Sequence, residues 1–184
     1  MTDLDTLDRF GTLPEPTTLV MRRRLSGPPD RVWDYLTRAD LRAKWLAAGD
    51  DVPAVGVDGP AAGDSFELVW RNATLTDPPG QKPEGFGPEH RMTSRVVTCD
   101  PPRLLVFTWG EAGEVRIDLT PADGATILTL THLRIAERSG RLMIGAGWHA
   151  HLDILEARIA GTATPVFWDH WRALRADYDA RIPH

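Results

Sequence analysis

Between residues 92 and 133 the chain repeats one pattern: a short run rich in β-branched and aromatic residues, then a break too short to hold a helix. The runs fall at 92–99, 104–109, 114–120 and 126–133. Between them stand Asp100-Pro101-Pro102, the stretch from Gly110 to Gly113, and the turn Ala122-Asp123-Gly124. Parallel neighbours need crossovers of about a dozen residues or more, and none fits here. These strands must pair antiparallel, as a meander.

Other segments extend the pattern. Thr17-Thr18-Leu19-Val20-Met21 reads as a first strand, and a short one is expected within 52–57. Phe66, Leu68 and Trp70 alternate with Glu67 and Arg71, which places the large side chains on one face of a half-buried strand. Arg22, Arg23 and Arg24 read as solvated charges along an exposed strand edge. Pro28-Pro29 suits a helix start, because proline lacks the amide hydrogen that a first turn cannot use. Val32, Trp33 and Leu36 then form an apolar stripe, and Asp40 reads as the N-cap of a second short helix expected to carry Leu41 and Trp45.

After the meander the chain turns helical. Trp148, Leu152, Leu155 and Ile159 recur at helical spacing, and Gly161 stands at a C-cap position. Thr164 reads as the N-cap of an extra helix over 165–182, with Phe167, Trp171, Leu174, Tyr178 and Ile182 on one face. That face is expected against its own sheet or at a cavity mouth, a partner subunit in a homodimer being the lesser option. Residues 1–16, with Gly11, Pro14 and Pro16, read as a flexible lead-in, leaving 17–184 as one domain. The proline- and glycine-rich stretch 76–89 is a loop of the length that often serves as a lid or partner surface.

The expected architecture is α+β: a curved antiparallel sheet of about six to seven strands wrapped around a long C-terminal helix. A single helix laid across a curled sheet leaves an apolar hollow. Its expected walls are Phe66, Leu68, Trp70, Phe107, Trp109, Trp148, Leu152 and Leu155, with Met92 and Trp45 closing the ends. The inward face of 104–109 stays open between Phe107 with Trp109 and Leu104, Val106 with Thr108.

Several residue groups, taken in order, carry a resemblance. They are Val32-Trp33-x-x-Leu36-Thr37 followed by Trp45, and Asp100-Pro101-Pro102-Arg103-Leu104 running into Phe107-Thr108-Trp109. Gly124-x-Thr126-x-Leu128-x-Leu130-x-His132, Gly147-Trp148-x-x-x-Leu152-x-x-Leu155, and a tail with Trp171 and Tyr178 complete them. Across residues 18–182 the chain resembles the START-like (SRPBCC) helix-grip superfamily, and within it the branch related to the activator of the heat-shock-protein-90 ATPase. It departs from the pattern at Ser94, where glycine is usual, and at 56–64, which lack a tight Gly-Gly pair. The resemblance implies binding of lipids, hormones or polyketides, or cyclase- or hydrolase-like catalysis in the hollow, or association with a chaperone. Fold does not choose among these.

His132 shares a strand face with Leu128 and Leu130, so it is the weak catalytic candidate and a polar anchor for a ligand. His151, three residues from Trp148, should edge into the cavity, whereas His149 should face solvent. Those two are too far apart around a helix to chelate one metal, and no pair with His170 has ligand spacing, so no metal or cofactor is expected. Glu67 and Asp118 should be exposed and Asp153 lies off the buried stripe, which leaves acid–base chemistry without a second player. Phosphate loops, dinucleotide fingerprints and nucleophile elbows do not occur.

A net charge of −5 argues against nucleic acid, and no apolar run is long enough to cross a bilayer. Cys99 stands alone, which fits a reducing, cytoplasmic compartment. Seven tryptophans beside two tyrosines favour rigid aromatic walls. The expected partner is a small hydrophobic or aromatic molecule, with catalysis the alternative.

Overall fold

The computed structural model describes residues 8–52 and 64–183. Strands β1 (Thr12–Glu15) and β2 (Thr18–Ser26) lead into helices α1 (Pro29–Thr37) and α2 (Ala39–Arg42). Then come β3 (Ala48–Gly49), β4 (Ser65–Trp70), β5 (His90–Asp100), β6 (Leu104–Trp109), β7 (Gly113–Ala122) and β8 (Ala125–Leu133). Helices α3 (Arg138–Ala160) and α4 (Phe167–Arg181) close the chain. The strands form one eight-stranded antiparallel sheet, ordered β1-β2-β8-β7-β6-β5-β4-β3. The meander thus runs as its turn chemistry requires, and β2 returns to pair with β8, Leu19 opposite His132.

Where β5 meets β6 the register slips between Val96 and Thr98, a bulge that sharpens the local twist. The sheet curves, and α3 lies across it against β2, with α4 packed on α3. This is a helix-grip arrangement, with its core between sheet and α3. Leu105 and Phe107 are the residues of β6 that face it, beside Leu36, Trp45 and Ile117.

The structure corrects several readings. Residues 12–15, taken for lead-in, form β1 and pair with β2. Arg23 is not a solvated edge charge: its strand is interior, and the side chain is 2% exposed and bonded to Asp153. The helix expected around Trp148 already begins at Arg138, despite Gly140, Gly145 and Gly147. Of the strand expected at 52–57, Val52 is buried outside any strand and the rest lies outside the described residues, as does most of 56–64.

Thr164 does not cap α4. Its N-cap is Val166, which offers no side-chain acceptor. Instead the amide of Phe167 donates to Thr76 Oγ1 at 3.1 Å, and that of Trp168 to the Pro79 carbonyl at 3.0 Å. The orphan donors of a first helical turn are satisfied here by a distant loop. Gly80 makes this docking close, because a Cβ there would stand 2.8 Å from Val166 Cγ1.

Candidate functional site

The hollow expected under the middle of the sheet is filled. Phe66, Leu68, Phe107 and Trp45 surround a void of only about 10 Å³, together with Leu36, Arg42 and Ile117. Leu152 and Leu155 are fully buried in the same core. Space opens instead at one end of the domain, in a cleft of about 410 Å³. Strands β4, β5 and β6 contribute Trp70, His90, Met92 and Trp109, and α3 contributes Met143, Ile144, Gly147, Trp148 and His151. Phe167 and Trp171 of α4 form a third side, and Asn72, Gly85, Phe86, Gly87 and Glu89 a fourth, with Leu46 behind.

Five of the residues expected as cavity walls or ligand contacts therefore line the cleft: Trp70, Met92, Trp109, Trp148 and His151. Trp45, Phe66, Leu68, Phe107, Leu152 and Leu155 lie in the sealed core. His132 stands behind the wall. Of the apolar face of α4, Phe167 and Trp171 line the cleft, whereas Tyr178 packs on α3 against Gly145 and His149.

Why the rings leave space is visible in their angles. Trp109 meets Trp70 at 5.3 Å and 65°, and Trp148 at 5.2 Å and 50°. Indoles packed edge to face are stiff and cannot interdigitate as aliphatic chains do. Phe86 reaches from the loop to Trp168 and Trp171, at 5.0 and 5.2 Å, and roofs the cleft. Glu89 at the rim bonds Arg71 at 2.7 Å and Arg91 at 2.6 Å.

His132 is buried, and its Nδ1 accepts the indole N–H of Trp148 at 3.0 Å, with Trp109 against its ring at 5.2 Å. Burial pushes its imidazole down to about 4, so it is neutral at pH 7. The ring holds two wall tryptophans in place. His151 is also buried, its Nδ1 lies 2.7 Å from the Trp45 carbonyl, and Phe167 stacks on it at 4.9 Å. Burial pushes it down to about 4 as well.

A second polar cluster lies on the other side of α3, and it corrects the expectation for His149 and Asp153. Asp153 receives Arg23 at 3.0 Å, Arg9 at 2.8 Å and His170 at 2.8 Å, with His149 at 3.4 Å. Burial opposes its charge, yet the hydrogen bonds from His149 and His170 and the Arg23 guanidinium hold it well below the usual carboxylate range. His149 is only 3% exposed; its Nδ1 faces the Tyr178 hydroxyl, which accepts the Gly11 amide at 2.8 Å. These bonds pin the N-terminal segment to both helices. Among the described residues no group of three or more His, Cys, Asp or Glu side chains could hold a metal ion. Nor is any described helix long and apolar enough to cross a membrane.

Sequence reasoning missed Phe86, Gly147 and the polar residues Asn72, Glu89 and His90. A lone phenylalanine in a proline–glycine loop was the available signal for Phe86; the others have none that spacing reveals.

No curated protein matches this chain. Among solved structures, the solution structure of the BPP1335 protein of Bordetella parapertussis is 34% identical over all of this chain and 97% of that one, with a TM-score of 0.77. The crystal structure of CalU16 from Micromonospora echinospora is 22% identical over 89% of this chain and 86% of its own, at 0.59. The Aha1 dimer from Colwellia psychrerythraea, 16% identical over 77% and 95%, shares the fold at 0.55. The family model for activator of Hsp90 ATPase homolog 1-like proteins matches residues 26–160, and the chain belongs to that family.

Proposed function

We propose that the end cleft binds a small hydrophobic or aromatic molecule. The observation that carries this reading is the cleft itself. Its volume of about 410 Å³ falls in the range of about 300–1,000 Å³ usual for ligand pockets. Its walls hold four tryptophans and two phenylalanines, rings that bury much area at little entropic cost. A catalytic role for His132 gains no support, because its Nδ1 is taken by Trp148 and the residue does not line the cleft.

Gly147 supplies a clean test. It lines the cleft, and a Cβ added there meets nothing within 4 Å. Gly147→Leu should fill the cleft without disturbing the core. Calorimetric titration with 2-methoxynaphthalene should show saturable binding to the wild type, weakened at least tenfold in Gly147→Leu at a melting temperature no lower than the wild type's. Absent binding, or equal binding by both proteins, would overturn the reading.

A further inference from the structure

His151 is the one cleft-lining imidazole that is fixed from behind by the backbone. Its Nδ1 lies 2.7 Å from the carbonyl oxygen of Trp45, which can only accept, so Nδ1 carries the proton. That carbonyl is not free to turn away. The Trp45 side chain is fully buried, and its indole N–H donates to the Tyr35 carbonyl at 2.8 Å. The neutral ring then presents a lone pair at Nε2. Nε2 has no hydrogen-bond partner among the described residues, and the residue, only 5% exposed, borders the cleft. Phe167 packs against the ring at 4.9 Å, tilted by 43°.

The charges around the cleft point the same way. Among the described residues no lysine or arginine lines it, and the one carboxylate that does, Glu89, is already bonded to Arg71 and Arg91. An anion entering would lose its water and gain no counter-charge. A neutral molecule with a donor would complete an acceptor that is otherwise left unpaired.

We infer that the cleft selects a neutral aromatic molecule bearing a hydrogen-bond donor, a phenol-type hydroxyl or a ring N–H, and receives that donor on His151 Nε2. This rests on the cleft being a binding site. Burial, which pushes the imidazole down to about 4, keeps Nε2 an acceptor at neutral pH. The role is one of recognition: no bond in the ligand is made or broken.

Three probes of one size separate the possibilities: 2-naphthol, 2-methoxynaphthalene and 2-naphthoate, titrated calorimetrically at pH 7. The wild type should hold the naphthol about fivefold more tightly than the ether, the size of one net hydrogen bond, and the naphthoate most weakly. His151→Phe should erase the difference between naphthol and ether. If the wild type binds the ether but does not prefer the naphthol, the inference fails while the binding reading stands; if it binds none of the three, both fail. Long-range proton–nitrogen NMR of the wild type gives a second measurement, free of any folding defect in the variant. It should show the Nδ1–H tautomer at His151 and an Nε2 shift on adding naphthol but not ether. An Nε2–H tautomer would overturn the inference.

Discussion

Along β4, Phe66 and Leu68 close the interior almost completely, while Trp70, at the next inward position, borders open space. The same strand and face give opposite results. At the centre, aliphatic chains and the Arg42 stem fit around two phenyl rings, with the guanidinium 5.7 Å from the centre of Phe66. At the end, Trp109 meets Trp70 at 65° and Trp148 at 50°, and the space beside them is left open. Rings occur in both regions, since Trp45 and the Phe66–Phe107 pair lie in the sealed centre, so what differs is whether aliphatic neighbours fill the space around them.

The largest test of that contrast removes one ring from each region. Phe66→Ala should cost about 3–5 kcal/mol, because the close-packed centre cannot collapse onto the cavity. Phe86→Ala, taking a half-buried ring off an already open cleft, should cost only about 1 kcal/mol. Urea denaturation of both variants measures this, and similar costs would break the comparison.

Acid should probe the boundary between the regions, where His132 and His151 stand. Below pH 6.5 the unfolded chain protonates each imidazole, whereas the folded chain resists until about 4. The unfolded state therefore binds more protons across that interval, and stability falls as pH falls, by of order 3 kcal/mol per histidine. The loss between pH 6.5 and 4.5 should be visibly shallower in His151→Leu than in the wild type. Equal slopes would mean that His151 is not held neutral by its surroundings.

Two glycines on α3 give the smallest effect and the sharpest sign. A Cβ at Gly147 meets open cleft, so Gly147→Ala should stabilise by about 0.5–1 kcal/mol through the unfolded chain and the helix. A Cβ at Gly145 would press within 3.2 Å of the Tyr178 ring, whose hydroxyl is held by Gly11 and His149. Gly145→Ala should forfeit that gain or reverse it. Thermal melts of the pair decide, and equal shifts would show that the two sides of α3 are packed alike.

The meander was legible because its turns are local: Asp123-Gly124 takes positive φ at both residues, at 35° and 73°, and leaves the neighbours no choice but to pair. The first turns of α3 were not, because Gly140, Gly145 and Gly147 dilute the helical signal. Gly145 serves contact with Tyr178, and Gly147 borders the cleft. The cap of α4 was hidden for a related reason, since Thr76 and Pro79 lie about ninety residues away in sequence. For the cleft, the aromatic inventory and period-two alternation pointed to Trp70, Met92, Trp109 and Trp148. They could not tell sealed positions from open ones two residues along, because that depends on the ring angles of neighbouring strands. Arg23 and His149 looked solvent-facing because their partners, Asp153 for the one and Tyr178 for the other, arrive only through tertiary packing.

The tie between residues 76–81 and α4 also governs how the cleft can admit anything. With Thr76 and Pro79 receiving the first amides of the helix, and Asp169 receiving the Gln81 amide at 3.0 Å, roof and helix are a single mechanical part. Lifting Phe86 away would tug at the terminal turn beneath Trp171 and fray it. Met143 sits on the opposite lip, 39% exposed and unbranched, and its thioether can rotate aside at the cost of a rotamer. A ligand wider than the mouth would therefore displace Met143 before it displaced the roof.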